Sequence, residues 1–344
     1  MEKTRTRAAI VGASGYAGEE LVRLLLGHPH VDLVAATSRQ YSGKSLAEVF
    51  PRFAHNEHAR ALRFSDADPK TLAQDAEIIF LALPHGVSAA VAKSLVDLGP
   101  RLIDLSADFR IRDANVYQEF YGREHAAPEL LSQAVYGLPE IYREKIRGAK
   151  LIACPGCYPT SILLPLLPFV REHVVDLARI VVTSMSGVTG AGRKVEADYL
   201  FAECNESIRP YGVPKHRHLA EMEQELSDAA EQTVTMQFTP HLVPINRGIV
   251  STMYVDLSGK IDIDDVYARA YGAEPFVRLL GSERLPDSKN VVGTNFIDIA
   301  WKIDKRTSRL ILMSAIDNLT KGTSGQAVQC FNLMRGYPET AGLI

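Results

Sequence analysis

One stretch near the start of the chain decides its fold: Ala8-Ala9-Ile10-Val11-Gly12-Ala13-Ser14-Gly15-Tyr16-Ala17-Gly18, followed by Glu19-Glu20-Leu21-Val22-Arg23-Leu24-Leu25-Leu26. The apolar run predicts a strand, the glycines predict a tight turn, and the last segment predicts an amphipathic helix. Glycines at this spacing let the backbone approach a pyrophosphate that lies on the helix N-terminus. We therefore predict a dinucleotide site, formed by Gly12, Ser14, Gly15, Tyr16, Ala17 and Gly18.

The end of the next strand indicates which dinucleotide is bound. Val31 to Ala36 predicts this strand, and Thr37-Ser38-Arg39 follows it. An NAD site places an acidic residue here to bind the ribose 2′-hydroxyl, whereas hydroxyls and an arginine suit a 2′-phosphate. The sequence therefore predicts NADP(H), with Ser38 and Arg39 among its ligands. The alternative is that Arg39 only caps a surface turn.

Short apolar runs alternate with helical patterns up to about residue 150, which predicts a doubly wound parallel sheet of the Rossmann type. Ligands of such sheets lie at the carboxyl ends of the strands. We accordingly assign Leu83, Pro84 and His85 to the cofactor. Ser106 and Arg110 are assigned to the substrate, because a guanidinium binds phosphate through two parallel hydrogen bonds. The alternative for Arg110 is a surface ion pair with an adjacent aspartate.

A thiol lies in the turn Cys154-Pro155-Gly156-Cys157-Tyr158-Pro159-Thr160, directly before an apolar helical segment. The positive end of a helix favours the thiolate, which is the form that attacks an acyl group. A structural zinc site needs about four ligands, and Cys204 and Cys330 are isolated, so we expect no metal. A reversible Cys154–Cys157 disulfide is the remaining alternative for this pair.

A second group of polar residues lies in Ser207-Ile208-Arg209-Pro210-Tyr211-Gly212-Val213-Pro214-Lys215-His216-Arg217-His218. Cations and imidazoles without any acid predict a pocket for an anionic substrate, and we assign Arg209, Lys215 and His216 to it. An imidazole near the thiol can accept its proton and return it later. Glu221 or Glu225 would orient that ring. A solvated basic loop is the alternative.

Two further loops are candidates for contact with the nicotinamide or the substrate. Ser186 and Gly187 begin a glycine-rich stretch that ends in Arg193-Lys194. Asn318 precedes Lys321-Gly322-Thr323-Ser324-Gly325, where backbone N–H groups would lie close to the cofactor. We assign Ser186, Gly187 and Asn318 to cofactor binding.

Composition and charge describe an ordinary globular protein. The chain has 344 residues, 46% of them hydrophobic, and a formal net charge of −3, so neither nucleic acid nor an anionic membrane is an expected partner. We predict a dinucleotide-binding domain over 1–150, an α+β catalytic and oligomerisation domain over 151–316, and a returning helix over 317–344. The early first strand leaves no room for a signal peptide, so we expect a cytoplasmic location. Separately, we expect a homo-oligomer, either a dimer or a tetramer.

With these motifs in order, the chain resembles the N-acetyl-γ-glutamyl-phosphate reductases. That family is related in plan to the aspartate-semialdehyde dehydrogenases and more distantly to glyceraldehyde-3-phosphate dehydrogenase. The resemblance runs nearly end to end. It is carried by the segments Gly12–Gly18, Leu83–Gly86, Asp104–Arg110, Pro155–Thr160, His216–His218, Thr239–Gly248 and Asn318–Gly322.

The resemblance implies that Cys157 is the nucleophile, His218 the acid–base partner and NADPH the hydride donor. It also implies reduction of N-acetylglutamyl phosphate through a thioester, in arginine biosynthesis. One position departs from the family, which usually has asparagine where this chain has Cys154. Rival substrates are a carrier-protein-linked glutamyl or aminoadipyl phosphate and aspartyl phosphate. A nucleotide-binding regulator without turnover is the alternative of another class.

Overall fold

The computed structural model describes residues 5–193 and 195–344, so Lys194, the end of the predicted basic loop, lies outside the described residues. Two compact units divide the chain. The first unit runs to Pro155 and also contains Thr323–Ile344, and the second unit is Gly156–Gly322. The roles assigned to the three predicted segments stay predictions.

Strands and helices alternate in the first unit and are mixed in the second. The strands are β1 Thr6–Val11, β2 Val31–Thr37, β3 Phe64–Ser65, β4 Ile78–Leu81, β5 Arg101–Asp104, β6 Ala134–Tyr136, β7 Leu151–Ala153, β8 Val181–Gly187, β9 Arg209–Pro210, β10 Gln237–Val243, β11 Ile249–Asp256, β12 Val277–Gly281, β13 Ile297–Asp304 and β14 Arg309–Ile316. The α-helices are α1 Tyr16–Leu26, α2 Leu46–Val49, α3 Glu57–Ala61, α4 Pro69–Asp75, α5 Ser88–Leu95, α6 Ala114–Tyr121, α7 Pro139–Gly148, α8 Cys157–Arg171, α9 Phe201–Cys204, α10 His218–Ala230, α11 Ile263–Tyr271 and α12 Gly325–Arg335.

The sheet of the first unit is parallel throughout, in the order β3-β2-β1-β4-β5-β7-β6. Strand β1 lies between β2 and β4, so the chain moves outward from it in both directions. This order confirms the predicted doubly wound sheet of the Rossmann type. It also places the ends of β1, β2, β4 and β5 at one edge, where the predicted cofactor residues follow them.

Both faces of this sheet are buried, which explains why its strands are apolar at nearly every position. Successive side chains of a strand point to opposite faces. Ala8 and Ile10 therefore pack in the cluster that includes Phe331 of α12, whereas Ala9 and Val11 pack in the cluster on the other face. Helices cover both faces because a parallel sheet needs a crossover between each pair of strands.

The second unit is built on a mixed sheet in the order β12-β13-β14-β11-β8-β10-β9, which confirms the predicted α+β plan. Burial alternates along β11, where Ile249 and Met253 are buried and Val250 and Tyr254 are only half-buried. One face of the sheet therefore packs on helices of the same unit. The other face is partly open.

Helix α8 lies buried on the second sheet and contains two internal prolines, Pro165 and Pro168. Each proline lacks the N–H that would bond the carbonyl four residues earlier. Those two carbonyls receive side-chain donors instead. The Ser314 hydroxyl donates to the Ser161 carbonyl at 2.6 Å, and the Tyr271 hydroxyl donates to the Leu164 carbonyl at 2.6 Å.

One predicted strand begins later than the sequence indicates. The β-rich pattern Thr233–Phe238 predicts a strand, but β10 starts only at Gln237. Backbone N–H groups in the early part are taken by side chains of α10. Val234 N–H donates to Ser227 Oγ, and Met236 N–H donates to Glu223 Oε1. The prediction was wrong for this segment, because side-chain acceptors replaced a strand partner.

Among the described residues, no helix combines the length and the apolar character needed to cross a membrane.

The Ser314 and Tyr271 hydroxyls, which donate to carbonyls of α8, lead to a prediction about stability. Tyr271→Phe should lower the free energy of unfolding by about 1–3 kcal/mol, because it leaves the buried Leu164 carbonyl without its donor. Restoring the missing N–H with Pro168→Ala should make the same Tyr271→Phe change less costly. Urea unfolding of the two single variants and the double variant measures this coupling. Equal costs in both backgrounds would contradict the assignment.

Candidate active site

The predicted dinucleotide turn has the shape that a pyrophosphate requires. Gly12 has a φ of +87°, and a Cβ there would lie 2.6 Å from the Ala82 carbonyl oxygen. A Cβ at Gly18 would meet the backbone of Ala13 at 2.6 Å. At Gly15, which caps α1, no atom lies within 4 Å of a built Cβ. The start of α1 is thus open toward an anion, and the residues fit the cofactor.

The end of β2 holds the glycine turn in place. Thr37 Oγ1 accepts from Gly12 N–H at 3.1 Å, and the Ser38 hydroxyl donates to Ser14 Oγ at 3.0 Å. Arg39 is different, because its side chain is 93% exposed and lies 3.7 Å from Asp66. An exposed pair at this distance contributes little, so the guanidinium can turn to another anion.

Two strand-end turns of the first unit are locked to each other. Gly86 N–H and Ala89 N–H donate to the two carboxylate oxygens of Asp108, at 2.7 and 2.9 Å. In return, Ala107 N–H donates to His85 Nδ1 at 3.0 Å. This bond leaves the ring proton of a neutral His85 on Nε2. Asp108 was not predicted as a site residue, although it lies between the predicted site residues Ser106 and Arg110.

Ser106 and Arg110, assigned to the substrate, are both buried and serve the framework of the first unit. The Ser106 hydroxyl donates to Asp104 Oδ2 at 2.7 Å, and burial raises the pKa of Asp104 to about 6. Arg110 donates to the carbonyls of Cys154 and Leu105, at 2.6 and 2.9 Å. The alternative of a surface ion pair does not hold, since Arg110 is only 5% exposed. Phosphate binding by Arg110 stays a prediction.

Cys157 is the first residue of α8, and Gly156 is its N-cap. Gly156 has no side chain with which to cap the helix, and N–H groups at the very start of a helix have no acceptor one turn earlier. The turn is held instead by Glu221, which is fully buried and accepts from Gly156 N–H at 2.8 Å. Cys157 itself is half-buried, and Cys154 is fully buried.

His218 is the first residue of α10, one turn before Glu221 on the same helix. Its backbone N–H donates to His216 Nδ1 at 3.1 Å. The Tyr158 ring lies 5.5 Å from the His216 ring and 5.9 Å from the His218 ring, between ring centroids. Glu221 therefore joins the turn before Cys157 to the helix that begins with His218.

The predicted anion pocket is only partly cationic in the structure. Burial lowers the pKa of His216 to about 4, with the charge of Arg217 adding to the shift, so this imidazole is neutral at pH 7. Lys215 is exposed. Arg209 donates to the Asp198 carbonyl at 2.6 Å. His216 therefore adds no positive charge to this pocket, because a buried imidazole loses its proton. Substrate binding by Arg209, Lys215 and His216 stays a prediction.

Aromatic rings surround the two imidazoles. The hydroxyls of Tyr158 and Tyr211 are hydrogen-bonded at 2.7 Å, and burial raises the pKa of both phenols. The Phe238 ring lies 5.2 Å from Tyr158 and 5.5 Å from His216. Apolar surroundings of this kind exclude water and strengthen electrostatic interactions within them.

Ser186, Gly187 and Asn318, assigned to the cofactor, lie in loops that are tied together within the second unit. Asn318 accepts from Gly248 N–H at 2.8 Å and donates to Thr189 Oγ1 at 3.0 Å. A Cβ at Gly187 would lie 2.7 Å from the Asn246 carbonyl oxygen. Ser186 is buried, and its hydroxyl donates to the Gly187 carbonyl at 3.1 Å. These contacts bring the loops together, and cofactor binding by them stays a prediction.

Leu83, Pro84, Tyr16 and Ala17 complete the predicted set, and all four are at least partly accessible in the first unit. Pro84 is exposed and directly precedes His85. Tyr16 and Ala17 form the first turn of α1. All four thus lie at the edge of the sheet where the strands end.

Comparisons with known proteins agree with this architecture. A family model described as the semialdehyde dehydrogenase NAD binding domain matches residues 7–149. A second, described as the semialdehyde dehydrogenase dimerisation domain, matches residues 157–318. These matches confirm the prediction of a nicotinamide dinucleotide enzyme.

Curated relatives are similar over nearly their whole length. An N-acetyl-gamma-glutamyl-phosphate reductase of Akkermansia muciniphila is 55% identical, covering 98% of this chain and 99% of its own. One from Moorella thermoacetica is 49% identical, covering 98% and 97%.

Solved structures share the fold. Aspartate semialdehyde dehydrogenase II of Vibrio cholerae aligns with a TM-score of 0.74 at 20% identity, covering 97% of this chain and 100% of that one. The Candida albicans aspartate semialdehyde dehydrogenase solved with NADP aligns with a TM-score of 0.70 at 14% identity, covering 96% and 98%. By its sequence relatives, the chain belongs to the N-acetyl-gamma-glutamyl-phosphate reductase family of semialdehyde dehydrogenases.

Proposed function

We propose that this enzyme reduces N-acetyl-γ-glutamyl phosphate to N-acetylglutamate semialdehyde with NADPH, releasing phosphate, in arginine biosynthesis. The observation that carries the proposal is the hydrogen bond from Gly156 N–H to Glu221. It holds two helix starts together, and Cys157 and His218 are the first residues of those helices. A nucleophile and an acid–base group on rigid helix ends are what acyl transfer through a thiol requires.

In the first half of the reaction, the Cys157 thiolate attacks the acyl carbon and the carbon–oxygen bond to phosphate breaks. The products are a thioester and inorganic phosphate. The developing oxyanion is stabilised by backbone N–H groups at the start of α8, whose N-cap is Gly156. The positive end of the same helix favours the thiolate.

In the second half, NADPH when bound supplies a hydride to the thioester carbon. The carbon–sulfur bond then breaks, the carbonyl of the semialdehyde forms, and the electron pair returns to sulfur. His218 donates a proton to the departing sulfur. The aromatic surroundings of Tyr158 and Phe238 keep water from hydrolysing the thioester.

The preference for NADPH is assigned to Ser38 and Arg39 at the end of β2. Arg39 is highly exposed and only loosely paired with Asp66, so its guanidinium is able to bind a 2′-phosphate. Ser38 is buried beside Ser14 and orients the turn.

A second copy of the chain is proposed to cover the open face of the second sheet. Val181, Met185, Val250, Tyr254 and Met313 lie on this face of β8, β11 and β14, and all are at least partly accessible. An apolar face of this kind is typical of subunit contacts. The matched family model is described as a dimerisation domain. The cytoplasmic location and the choice between dimer and tetramer stay predictions.

The thiol gives the most direct test of function. Cys157→Ser should lower kcat on the order of 10³-fold or more, because a hydroxyl is a far weaker nucleophile here, while NADPH binding is retained. Cys204→Ser, the change of a thiol elsewhere in the second unit, is the control and should keep full activity.

The same assay tests the substrate. Purified enzyme should release phosphate and oxidise NADPH in equal amounts with N-acetyl-γ-glutamyl phosphate, and far more slowly with aspartyl phosphate or a carrier-linked acyl phosphate. Full activity of Cys157→Ser, or a preference for either rival, would refute the proposal.

The cofactor assignment predicts a selective defect. Arg39→Ala should raise the KM for NADPH roughly tenfold or more, because a charge-assisted contact to the 2′-phosphate is lost. The KM for NADH should not change. Arg147→Ala, another exposed arginine of the first unit, is the matched control. An equal loss for both cofactors would show that Arg39 does not bind the 2′-phosphate.

The subunit proposal predicts a change of mass in solution. Met185→Lys places a charge on the open sheet face and should shift the oligomer toward monomers. Leu98→Lys is the control, since Leu98 is 49% exposed and Met185 46% exposed, but Leu98 lies in the first unit. Light scattering after size exclusion measures both masses. An unchanged mass for Met185→Lys would place the subunit contact elsewhere.

A further inference from the structure

Gly322 lies directly against the residue that carries the thiol. A Cβ built at Gly322 would lie 2.8 Å from Cys157 Cβ, 3.2 Å from Cys157 Cα and 3.2 Å from Ile316 Cδ1. Its φ is not in the left-handed region, so the backbone conformation itself does not require glycine. The close approach to Cys157 does require it.

The turn Asp317–Gly322, which runs into the π-helical segment Thr320–Ser324, is held firmly by a buried carboxylate. Asp317 is fully buried, and its Oδ1 accepts from Leu319 N–H and Thr320 N–H at 2.7 and 3.0 Å. Gly293 N–H donates to Oδ2 at 2.6 Å. Gly322 N–H donates to the Asp317 carbonyl at 2.9 Å. The backbone of the turn is therefore fixed at its start and at its end.

Arg247 fastens the same turn from another loop of the second unit. Its guanidinium lies 2.9 Å from Asp317 Oδ2 and also donates to Asp317 Oδ1 and to Thr320 Oγ1, at 3.0 and 2.8 Å. Such forked contacts are geometrically specific, and lysine does not reproduce them. The turn thus cannot retreat from Cys157 without breaking several buried bonds.

Cys157 is equally restrained on its other side. Gly156 N–H is held by the buried Glu221, and the residues of α8 from Tyr158 to Val170 are all buried. Neither the thiol residue nor the turn can therefore shift to make room for an added methyl group. A clash between two restrained backbones must displace one of them.

The geometry points to Gly322 as a positioning residue for Cys157: the restrained turn Asp317–Gly322 packs against Cys157 and so fixes the position of its sulfur. This inference rests on the proposed function, in which the sulfur must reach the acyl carbon. The inference adds Gly322 and Arg247 to the residues that the reaction needs, although neither takes part in the thiol chemistry itself. A displacement of about 1 Å at a reacting group costs about 10²-fold in rate.

The test compares Gly322→Ala with Gly259→Ala. A Cβ at Gly259 has no atom within 4 Å and meets no left-handed φ, so it is the matched control. We expect Gly322→Ala to lower kcat on the order of 10- to 100-fold with an unchanged KM for NADPH. Alkylation of Cys157 by iodoacetamide, followed at that residue by mass spectrometry, should slow as well. Gly259→Ala should match the wild type in kcat, in the KM for NADPH and in the alkylation rate of Cys157.

Two further variants keep the test decisive. Ile316→Val removes the Cδ1 atom that an added methyl would also meet, so Gly322→Ala with Ile316→Val should stay slow. Recovery in that double variant would overturn the inference, because the effect would then pass through Ile316. If Gly322→Ala does not fold, Arg247→Lys tests the inference instead. This variant should have a lower kcat and an unchanged KM for NADPH. A normal kcat in Arg247→Lys would overturn the inference.

The alkylation rate separates this inference from the proposed function. It reports the thiol without any substrate, so it remains measurable if the wild type does not reduce N-acetyl-γ-glutamyl phosphate. Wild-type inactivity with slowed alkylation in Gly322→Ala would refute the function and keep the positioning role. Normal activity and normal alkylation in Gly322→Ala would refute the positioning role alone.

Discussion

The hydrogen bond from Gly156 N–H to Oε1 of Glu221 joins the two helices on which the proposed chemistry depends. Helices α8 and α10 are far apart in sequence, and each begins with one of the two side chains to which that chemistry is assigned. A buried carboxylate that accepts a backbone N–H restrains both partners at once, and breaking such a bond leaves a costly unsatisfied group. The relative position of thiol and imidazole therefore depends on this contact together with the packing of α8 against α10.

Buried carboxylates also restrain backbone segments elsewhere in the molecule. Asp108 holds the turn after β4 in the first unit, and Asp317 holds the turn next to Cys157 in the second. Each accepts several backbone N–H groups, so loops that would otherwise be mobile become rigid supports. Rigid supports matter because a reacting group must be held within a fraction of an ångström.

Several polar residues assigned to ligands also have contacts within the framework that the sequence did not indicate. Arg110 donates to backbone carbonyls of the first unit, and Asn318 joins loops of the second. His216 is neutral because it is buried. A sequence shows which residues can bind an anion, but the same donors also satisfy the backbone. Burial makes it costly to leave such a donor without a partner, and burial is set by contacts between segments distant in the chain.

The sequence by itself determined the parallel sheet, the glycine turn and the helix that begins at the thiol, because hydrophobic period and glycine position act over a few neighbouring residues. It also indicated the family through motifs whose order is a property of the chain. Only the tertiary structure decided that Glu221 accepts a hydrogen bond from the turn before the thiol, and that Arg247 pairs with Asp317 in the turn packed against Cys157. It also decided that Ser314 and Tyr271 donate to the two carbonyls of α8 that prolines leave without an N–H partner. All four are pairings between residues 65 to 153 positions apart, and no local pattern specifies which partner a buried polar group will meet.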